Sequence, residues 1–495
     1  MDQRSQPGSP TDLGQATLTE PATGNRQRAT GNGYLRAMSA EHYRDLVDRA
    51  MGRHRWILCA DVAAAFTSGV RRMREKGAPR PLLLCGSKGT GELPTDDDCE
   101  MVILGTTGKS MMDGIRAYHA ALRDLPAWAM DRIDAWDPDR EARVLASFLD
   151  TDFEIGGRPS WGGRPEAWIE LEDKTTVHEI WRAADVDHPP SEVVAARSDG
   201  LVAASSRIGG DSGAVWAGDN REGWHGGAEY TRYVEDPRAA QATIEFFREH
   251  CDMVRVMPFL EGVPCSIHGM VFPDRVAAFR PIEMIVFRAP RSDRFKYASV
   301  STSWDPLAEV REEMRAAARR VGWHLREMVD FKGAFTMDGV ATPDGWLPTE
   351  LNPRFGAGLG VVARAADMPL LGISRLLAAG ETDGLDAAEI ESISVEGADA
   401  RRQVGGFMVI PTHIDETEER RAEWDGAIVK VIDGNGGNAG LMRGPAAMGG
   451  MVRFTLDADH VVPGTQAAPI VREAFRATDE FWDTGIGELI PGSLG

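Results

Sequence analysis

The residues from Lys332 to Gly360, KGAFTMDGVATPDGWLPTELNPRFGAGLG, hold the densest set of side chains able to do chemistry. Two short runs, 333–340 and 346–352, flank Thr342-Pro343-Asp344-Gly345, whose Pro and Gly suit a tight turn. With the turn centred on Asp344, antiparallel pairing sets Asp338 opposite Glu350. Alternation along the strands puts Asn352 on the face of Glu350, with Ala334 and Thr336 on that of Asp338. Phe335, Met337, Leu347 and Leu351 take the opposite face, as a half-buried hairpin needs. Two carboxylates facing each other across a ladder repel by about 0.2–1 kcal/mol when exposed, and by more when desolvated. A cation therefore belongs between them. Hard oxygen donors with an amide beside them, and no thiol or imidazole, favour Mg²⁺ or Mn²⁺ over zinc. Mg²⁺ commonly binds through one or two carboxylates plus nucleotide phosphates, which makes the hairpin a candidate phosphoryl-transfer site. The same residues also read as a solvated hairpin with its acids turned to water, and Pro348 weakens the strand. Geometry alone leaves both readings open.

Glu350-Leu351-Asn352-Pro353-Arg354-Phe355-Gly356, with an acid on the neighbouring strand, resembles the E-x-N-P-R-x-G-like ending of the last metal-binding strand in the ATP-grasp superfamily. The resemblance implies that Asp338, Glu350 and Asn352 hold two Mg²⁺ ions against the phosphates of ATP. It implies that Arg354 contacts the transferred phosphoryl group or the reacting carboxylate. Glu172-Asp173-Lys174 opens a predicted helix and resembles the D-K opening of the nucleotide-binding part of that superfamily, where the lysine contacts ATP phosphate. Without the resemblance, Lys174 reads as a surface lysine at a helix start. Seven glycines lie between 209 and 227, a density that leaves backbone N–H groups free to approach phosphates, and the position resembles the loop that closes over ATP.

The pattern is also broken in places. Val215-Trp216-Ala217-Gly218-Asp219 lacks the second lysine that a V-x-K-P-like string carries, and Arg221, His225 and Arg232 are the candidates to replace it. Gly218 and Arg221 are taken as nucleotide contacts at this loop. Met257-Pro258-Phe259-Leu260-Glu261-Gly262 resembles an E-x-F-I-E-G linker, with Met257 in place of an acid and Pro264 where another often follows. Backbone groups of 256–260, those of Phe259 and Leu260 among them, remain to read adenine. Arg280, Glu283 and Arg288 are unusual charges in an otherwise apolar string. Arg280 and Arg288 are either solvated edge residues or the holders of a substrate carboxylate.

The elements that must position these groups follow the chain. Residues 1–37 are polar and poor in large apolar groups, and are expected to form a disordered leader. Over 38–170, strands Trp56–Cys59, 81–85 and 101–104 alternate with helices 40–53, 61–76 and 111–124, which argues for a small parallel α/β domain. Two loops there, Gly86–Gly91 and Gly105–Ser110, imitate a dinucleotide fingerprint and a P-loop but have the wrong spacing. Over 171–384 the ATP-grasp domain is expected, with a strand at 193–196, strands at 266–272 and 277–288, a helix at 306–328, the hairpin, and a helix at 361–380. An acidic linker at 384–400 leads to a C-terminal α+β appendage within 385–495, with strands near 405–411, 427–432 and 451–456 and a helix near 466–483. The fold class is thus α/β and α+β multidomain, the ATP-grasp fold between two smaller parts.

With 55 basic against 76 acidic residues, the net charge of −21 gives no basic stripe for nucleic acid or an anionic membrane. Five dispersed cysteines with no C-x-x-C pair suit reduced thiols in the cytoplasm. The partners expected are small molecules, and a homodimer is one option for assembly. The resemblance implies a ligase that moves the γ-phosphoryl group of ATP to a carboxylate, in all expectation that of an amino acid, and lets an amine displace phosphate. A carboxylase or kinase would share the metal motif. The missing lysine and Met257 also suit a nucleotide-binding sensor without turnover.

Overall fold

The computed structural model describes residues 31–89, 91–108, 111–146, 152–223, 226, 228–446 and 449–492. Most of the expected leader, together with Lys109, Ser110 and His225, lies outside the described residues. Helix α1 (Gly31–Gly52) already begins within the stretch 1–37. Strands β1 (Trp56–Val62), β2 (Leu82–Ser87), β3 (Glu100–Ile103) and β4 (Arg143–Leu145) form one parallel sheet in the order β3-β2-β1-β4. Parallel strands are covered on both faces and so read as continuous apolar runs, as Trp56-Ile57-Leu58-Cys59 and Leu82-Leu83-Leu84-Cys85 do. Ile57, Leu82, Leu84 and Val102 pack under α3 (Met111–Arg123) and α4 (Ala127–Trp136), whereas Leu58, Leu83 and Cys85 pack with α1 and α2 (Thr67–Glu75). Sequence periodicity missed α4.

A short helix α5 (Glu166–Ile169) and a 3₁₀ turn lead to α6 (Val177–Ala183). This helix begins later than expected, because Asp173 folds into a local turn first, its Oδ1 accepting from Thr175 N at 2.7 Å and Thr175 Oγ1 at 2.6 Å. Strands β5 (Glu192–Ala195), β6 (Ala214–Gly218), β7 (Thr231–Val234) and β8 (Met253–Pro258) make an antiparallel sheet in the order β5-β8-β6-β7. Its Trp216, Val234, Val254 and Val256 pack on α7 (Ser198–Ile208) and α8 (Gln241–His250). Alternation sends Val215, Ala217, Arg255 and Met257 to the other face, paired Ala217 to Arg255 and Val215 to Met257.

The central sheet comprises β9 (Val263–Val271), β10 (Val276–Ala278), β11 (Ile282–Arg288), β12 (Lys296–Ser301), β13 (Gly333–Thr342) and β14 (Gly345–Asn352), in the order β12-β11-β9-β13-β14 with β10 beside β9. Helix α9 (Ala308–Val329) covers one face through Met314, Ala317, Ala318, Val321 and Leu325, a helical apolar stripe. Under it lie Ile267, Phe335, Met337 and Leu351, as the hairpin alternation requires.

Trp346, rather than Leu347, completes that face. The turn sets Thr342 opposite Gly345, one residue out of register for the expected pairing, and a bulge between Asp338 and Gly339 restores it, leaving Thr349 as the extra residue. Because side chains alternate, this single step exchanges the faces of Leu347 and Trp346. Pro348 is tolerated because β14 is an edge strand.

The stretch expected as one helix at 361–380 is two, α10 (Ala357–Ala366) and α11 (Leu370–Ala379), broken where Asp367 turns left-handed at φ 55° ahead of Pro369. The acidic stretch expected as a linker is instead helix α12 (Ala387–Ala400). Asp386 caps it, accepting from Ala388 N at 2.9 Å and Glu389 N at 3.0 Å, and it buries Ile390 and Ile393. Its acid Glu391 is buried against Arg315 and Arg319 of α9, at 2.6 and 2.7 Å. Strands β15 (Gly405–Ile410), β16 (Glu418–Trp424), β17 (Val429–Ile432), β18 (Ala439–Pro445) and β19 (Gly450–Leu456) form the last antiparallel sheet, and β20 (Ile490–Pro491) returns to β11. With α13 (Ala468–Trp482) this sheet packs on Ile285, Phe287 and Ala298 of β11–β12. The five cysteines are buried and none is in a disulfide.

Candidate active site

The face of the central sheet opposite α9 carries a polar row. Asp338 lies across from Glu350 on β14 and from Ser266 on β9, and one step along the ladder Thr336 lies across from Asn352 and His268. Asp338 accepts from Ser266 Oγ at 2.5 Å and from Asn352 Nδ2 at 3.0 Å. Burial, and next the charge of Glu350, holds the Asp338 carboxyl well above the usual carboxylate range. Glu350 meets Lys174 Nζ at 3.1 Å, and that lysine is 4% exposed, which sets aside the reading of a surface lysine.

Arg354 closes the group. Its Nη2 donates to Asn352 Oδ1 at 2.8 Å and its Nε to Glu172 Oε2 at 3.3 Å, while buried Arg164 joins the same Glu172. Lys174, Asp338, Glu350, Asn352 and Arg354, drawn from segments far apart in the chain, thus meet at one place. In a chain of charge −21, a knot of acids threaded with arginine and lysine marks a local exception.

Arg255 belongs to this knot and was missed by sequence reasoning. It is 2% exposed on β8, donates from Nη2 to Thr349 O at 2.5 Å, and feels the charges of Glu350 and Asp173, while burial pulls its pKa down to about 10. A signal was present: one arginine interrupts the apolar run Met253-Val254-Arg255-Val256-Met257.

Other expected residues fall elsewhere. Arg280 is fully buried in an interior ion network, with Asp399 at 3.1 Å, Asp305 at 2.7 Å and Trp304 O at 2.8 Å. Those bonds take both terminal nitrogens, so the expectation that Arg280 holds a substrate carboxylate is corrected. Gly218 is turned into the core of the small sheet, where a Cβ would come within 2.3 Å of Cys251 Sγ, and this packing explains the glycine without a nucleotide. Arg221 is tied to Asp252 at 3.2 Å and to the Glu249 carbonyl. Arg232 lies over the Phe246 ring at 4.1 Å and donates to Glu229 O at 2.6 Å.

Arg288 stands 4.6 Å from both the Tyr233 and the Phe259 ring, and Phe259 with Leu260 is half-buried just past the end of β8. Arg288 and Phe259 therefore group beside Tyr233 of the small sheet, with Leu260 next in the chain.

Among the described residues, no three His, Cys, Asp or Glu side chains gather at metal-holding spacing. Two acids and the amide of Asn352 do share the polar face of the ladder, a donor set that fits a cation taking its remaining ligands from phosphates. The observation in favour is geometric: Asp338 and Glu350 oppose each other across the ladder, and two acids so placed are relieved by positive charge. Among the described residues, no helix is long and apolar enough to cross a membrane.

Comparison with solved structures gives the fold. The ADP complex of PurK, N5-carboxyaminoimidazole ribonucleotide synthetase, superposes with TM-score 0.51 at 11% identity, over 87% of this chain and 97% of that one. A pyruvate carboxylase from Rhizobium etli superposes with TM-score 0.52 at 13% identity, over 88% of this chain but 37% of that one. An L-amino acid ligase from Bacillus licheniformis gives TM-score 0.49 at 12% identity, over 90% of this chain and 100% of that one. No family model matches the sequence, and no curated protein matches it. The fold is the ATP-grasp fold, as the hairpin motif implied.

Proposed function

We propose that this protein is an ATP-dependent carboxylate–amine ligase, joining the carboxylate of one amino acid to the amine of another through an acyl phosphate. The observation that carries the reading is the pairing of Asp338 with Glu350 across the ladder, with Asn352, Lys174 and Arg354 gathered on the same pair. Asp338, Glu350 and the Oδ1 of Asn352 are the groups that would hold Mg²⁺ or Mn²⁺, two ions by the resemblance, and bound there the ions would neutralise charge as phosphoryl moves. Ser266 and Asn352 orient Asp338 by their two hydrogen bonds. Lys174, now paired with Glu350, is the cation nearest to hand for an ATP phosphate. Arg354 is held by Glu172 and is suited to steady the substrate carboxylate, then the oxyanion that forms when the amine attacks.

In balance, a carboxylate oxygen takes the γ-phosphoryl group and ADP leaves. The amine nitrogen then bonds to the carbonyl carbon, loses a proton, and expels phosphate. A carboxylase is the second reading, supported by the likeness in fold to a carboxyaminoimidazole ribonucleotide synthetase and a pyruvate carboxylase.

The test is ADP and phosphate release with Mg-ATP across amino acids singly, in pairs, and with bicarbonate, using Glu350→Ala as control. Release that needs two amino acids and falls at least about 10²-fold in the variant is expected. Release that needs bicarbonate would replace the ligase by a carboxylase, and nucleotide binding without release under any condition would leave a sensor.

A further inference from the structure

Arg255 sits on a different sheet from the hairpin, and its one hydrogen bond to a backbone oxygen goes to Thr349, the residue the bulge leaves over. Without a bulge above it, the turn at Thr342 and Gly345 would set Thr349, not Glu350, opposite Asp338. Glu350 would then point to the α9 face beside Met337, and Leu351 would take its place on the polar face opposite Thr336. The place of the bulge therefore decides which residue of β14 faces Asp338. Within the hairpin Thr349 Oγ1 donates to Asp338 O at 3.3 Å, and on the outer side of β14, the last strand, no further strand of the central sheet reaches the bulge among the described residues.

Arg255 supplies both a donor and a charge. Its Nη2 holds the Thr349 carbonyl, and its positive charge lies within reach of Glu350, the next residue. Its Nε is buried with no hydrogen-bond partner, so the guanidinium is not saturated by structural bonds. From its place on the face of β8 away from α7 and α8, it reaches out of its own sheet to the hairpin.

We propose that Arg255 is a positioning residue that pins the Thr349 bulge and thereby keeps Glu350 in register opposite Asp338. The inference rests on the reading of Asp338 and Glu350 as the ion-holding pair. Arg255→Met removes the donor and the charge. Its affinity for Mn²⁺ in the presence of ATP, read by water-proton relaxation, is expected to fall at least tenfold. Affinity for adenosine alone, read by calorimetry, is expected to stay within twofold, because adenosine brings no phosphate or metal to the hairpin. Arg255→Lys, which keeps the charge and one donor, is expected to lose only two- to fivefold, and it carries the test if the Met variant does not fold. Unchanged Mn²⁺ affinity in both variants would overturn the proposal. So would equal loss of adenosine and Mn²⁺, which would reduce Arg255 to a strut of the small sheet. Failure of the wild-type protein itself to hold Mn²⁺ with ATP would instead sink the reading of the hairpin, and the proposal with it.

Discussion

At the level of single residues, the partners of a charge separate internal braces from groups that meet at the candidate site. Arg280 and Arg354 look alike in sequence, each a charge amid apolar neighbours. Arg280 has its terminal nitrogens committed to Asp305, Asp399 and Trp304 O, whereas Arg354 bonds to Asn352 and Glu172 of the polar row. Arg280→Met would leave Asp399 and Asp305 without one of their cations, although Arg311 and Arg402 remain beside them. The expected cost is about 3 kcal/mol in a urea melt, with the KM for the acid substrate unchanged. A KM that rises tenfold without loss of stability would return Arg280 to the substrate. The sequence could show that such charges were unusual. It could not show which had internal partners, because Asp305, in the segment ahead of α9, and Asp399, on α12, come to Arg280 only in the folded chain.

At the level of elements, the hairpin was legible and its mechanism was not. Opposing acids, the α9-facing apolar set and the tight turn all follow from period-two alternation. The bulge does not, since no residue type announces it, and Leu347 and Trp346 were exchanged for that reason. Deleting Thr349 makes the ladder regular while leaving Glu350 opposite Asp338. That variant is expected to keep ATP turnover, at a stability cost of about 1–3 kcal/mol for the lost Arg255 bond, read by thermal melting. In that background Arg255→Met should add little further loss of Mn²⁺ affinity, and a full additional loss would argue against a pinned bulge. The helix α12 was misread for a related reason: acidic composition suggested a linker, but Glu391 is buried by two arginines supplied from α9.

At the level of the whole molecule, two buried groups on neighbouring strands pull stability in opposite directions with pH. His268 on β9 is held down to about 3 by burial. Its unfolded form takes a proton as pH falls through about 6.5 while the folded form does not, so its contribution to stability is lost progressively as pH drops from there towards 3. Glu283 on β11 is pushed up to about 7 by burial, even as it caps the start of α13, accepting from Ala467 N at 2.6 Å and Ala468 N at 2.9 Å. It stays protonated in the folded state while the unfolded state ionises, so its contribution is present below about pH 4.5 and is lost as pH rises towards 7. The two slopes, each about 1.4 kcal/mol per pH unit, offset one another in between. Relative to wild type, Glu283→Gln should therefore gain stability on going from pH 5 to 6, and His268→Leu should lose it, by roughly that amount in urea melts. Parallel curves for all three proteins would contradict the assignment. The strand-and-helix outline of the chain was readable in its sequence. Its joints, such as Glu283 gripping a helix almost two hundred residues away, were not, because they depend on burial that only the assembled sheets create.

The distribution of buried thiols gives the protein a set of internal clocks. Cys59, Cys85 and Cys99 lie in or beside the parallel sheet, Cys251 lies under the small sheet against Gly218, and Cys265 lies in the central sheet. A thiol reagent can reach each one only when its own sheet opens, so the order in which they become labelled would record which part of the molecule breathes first, and whether nucleotide quiets one part or all of them.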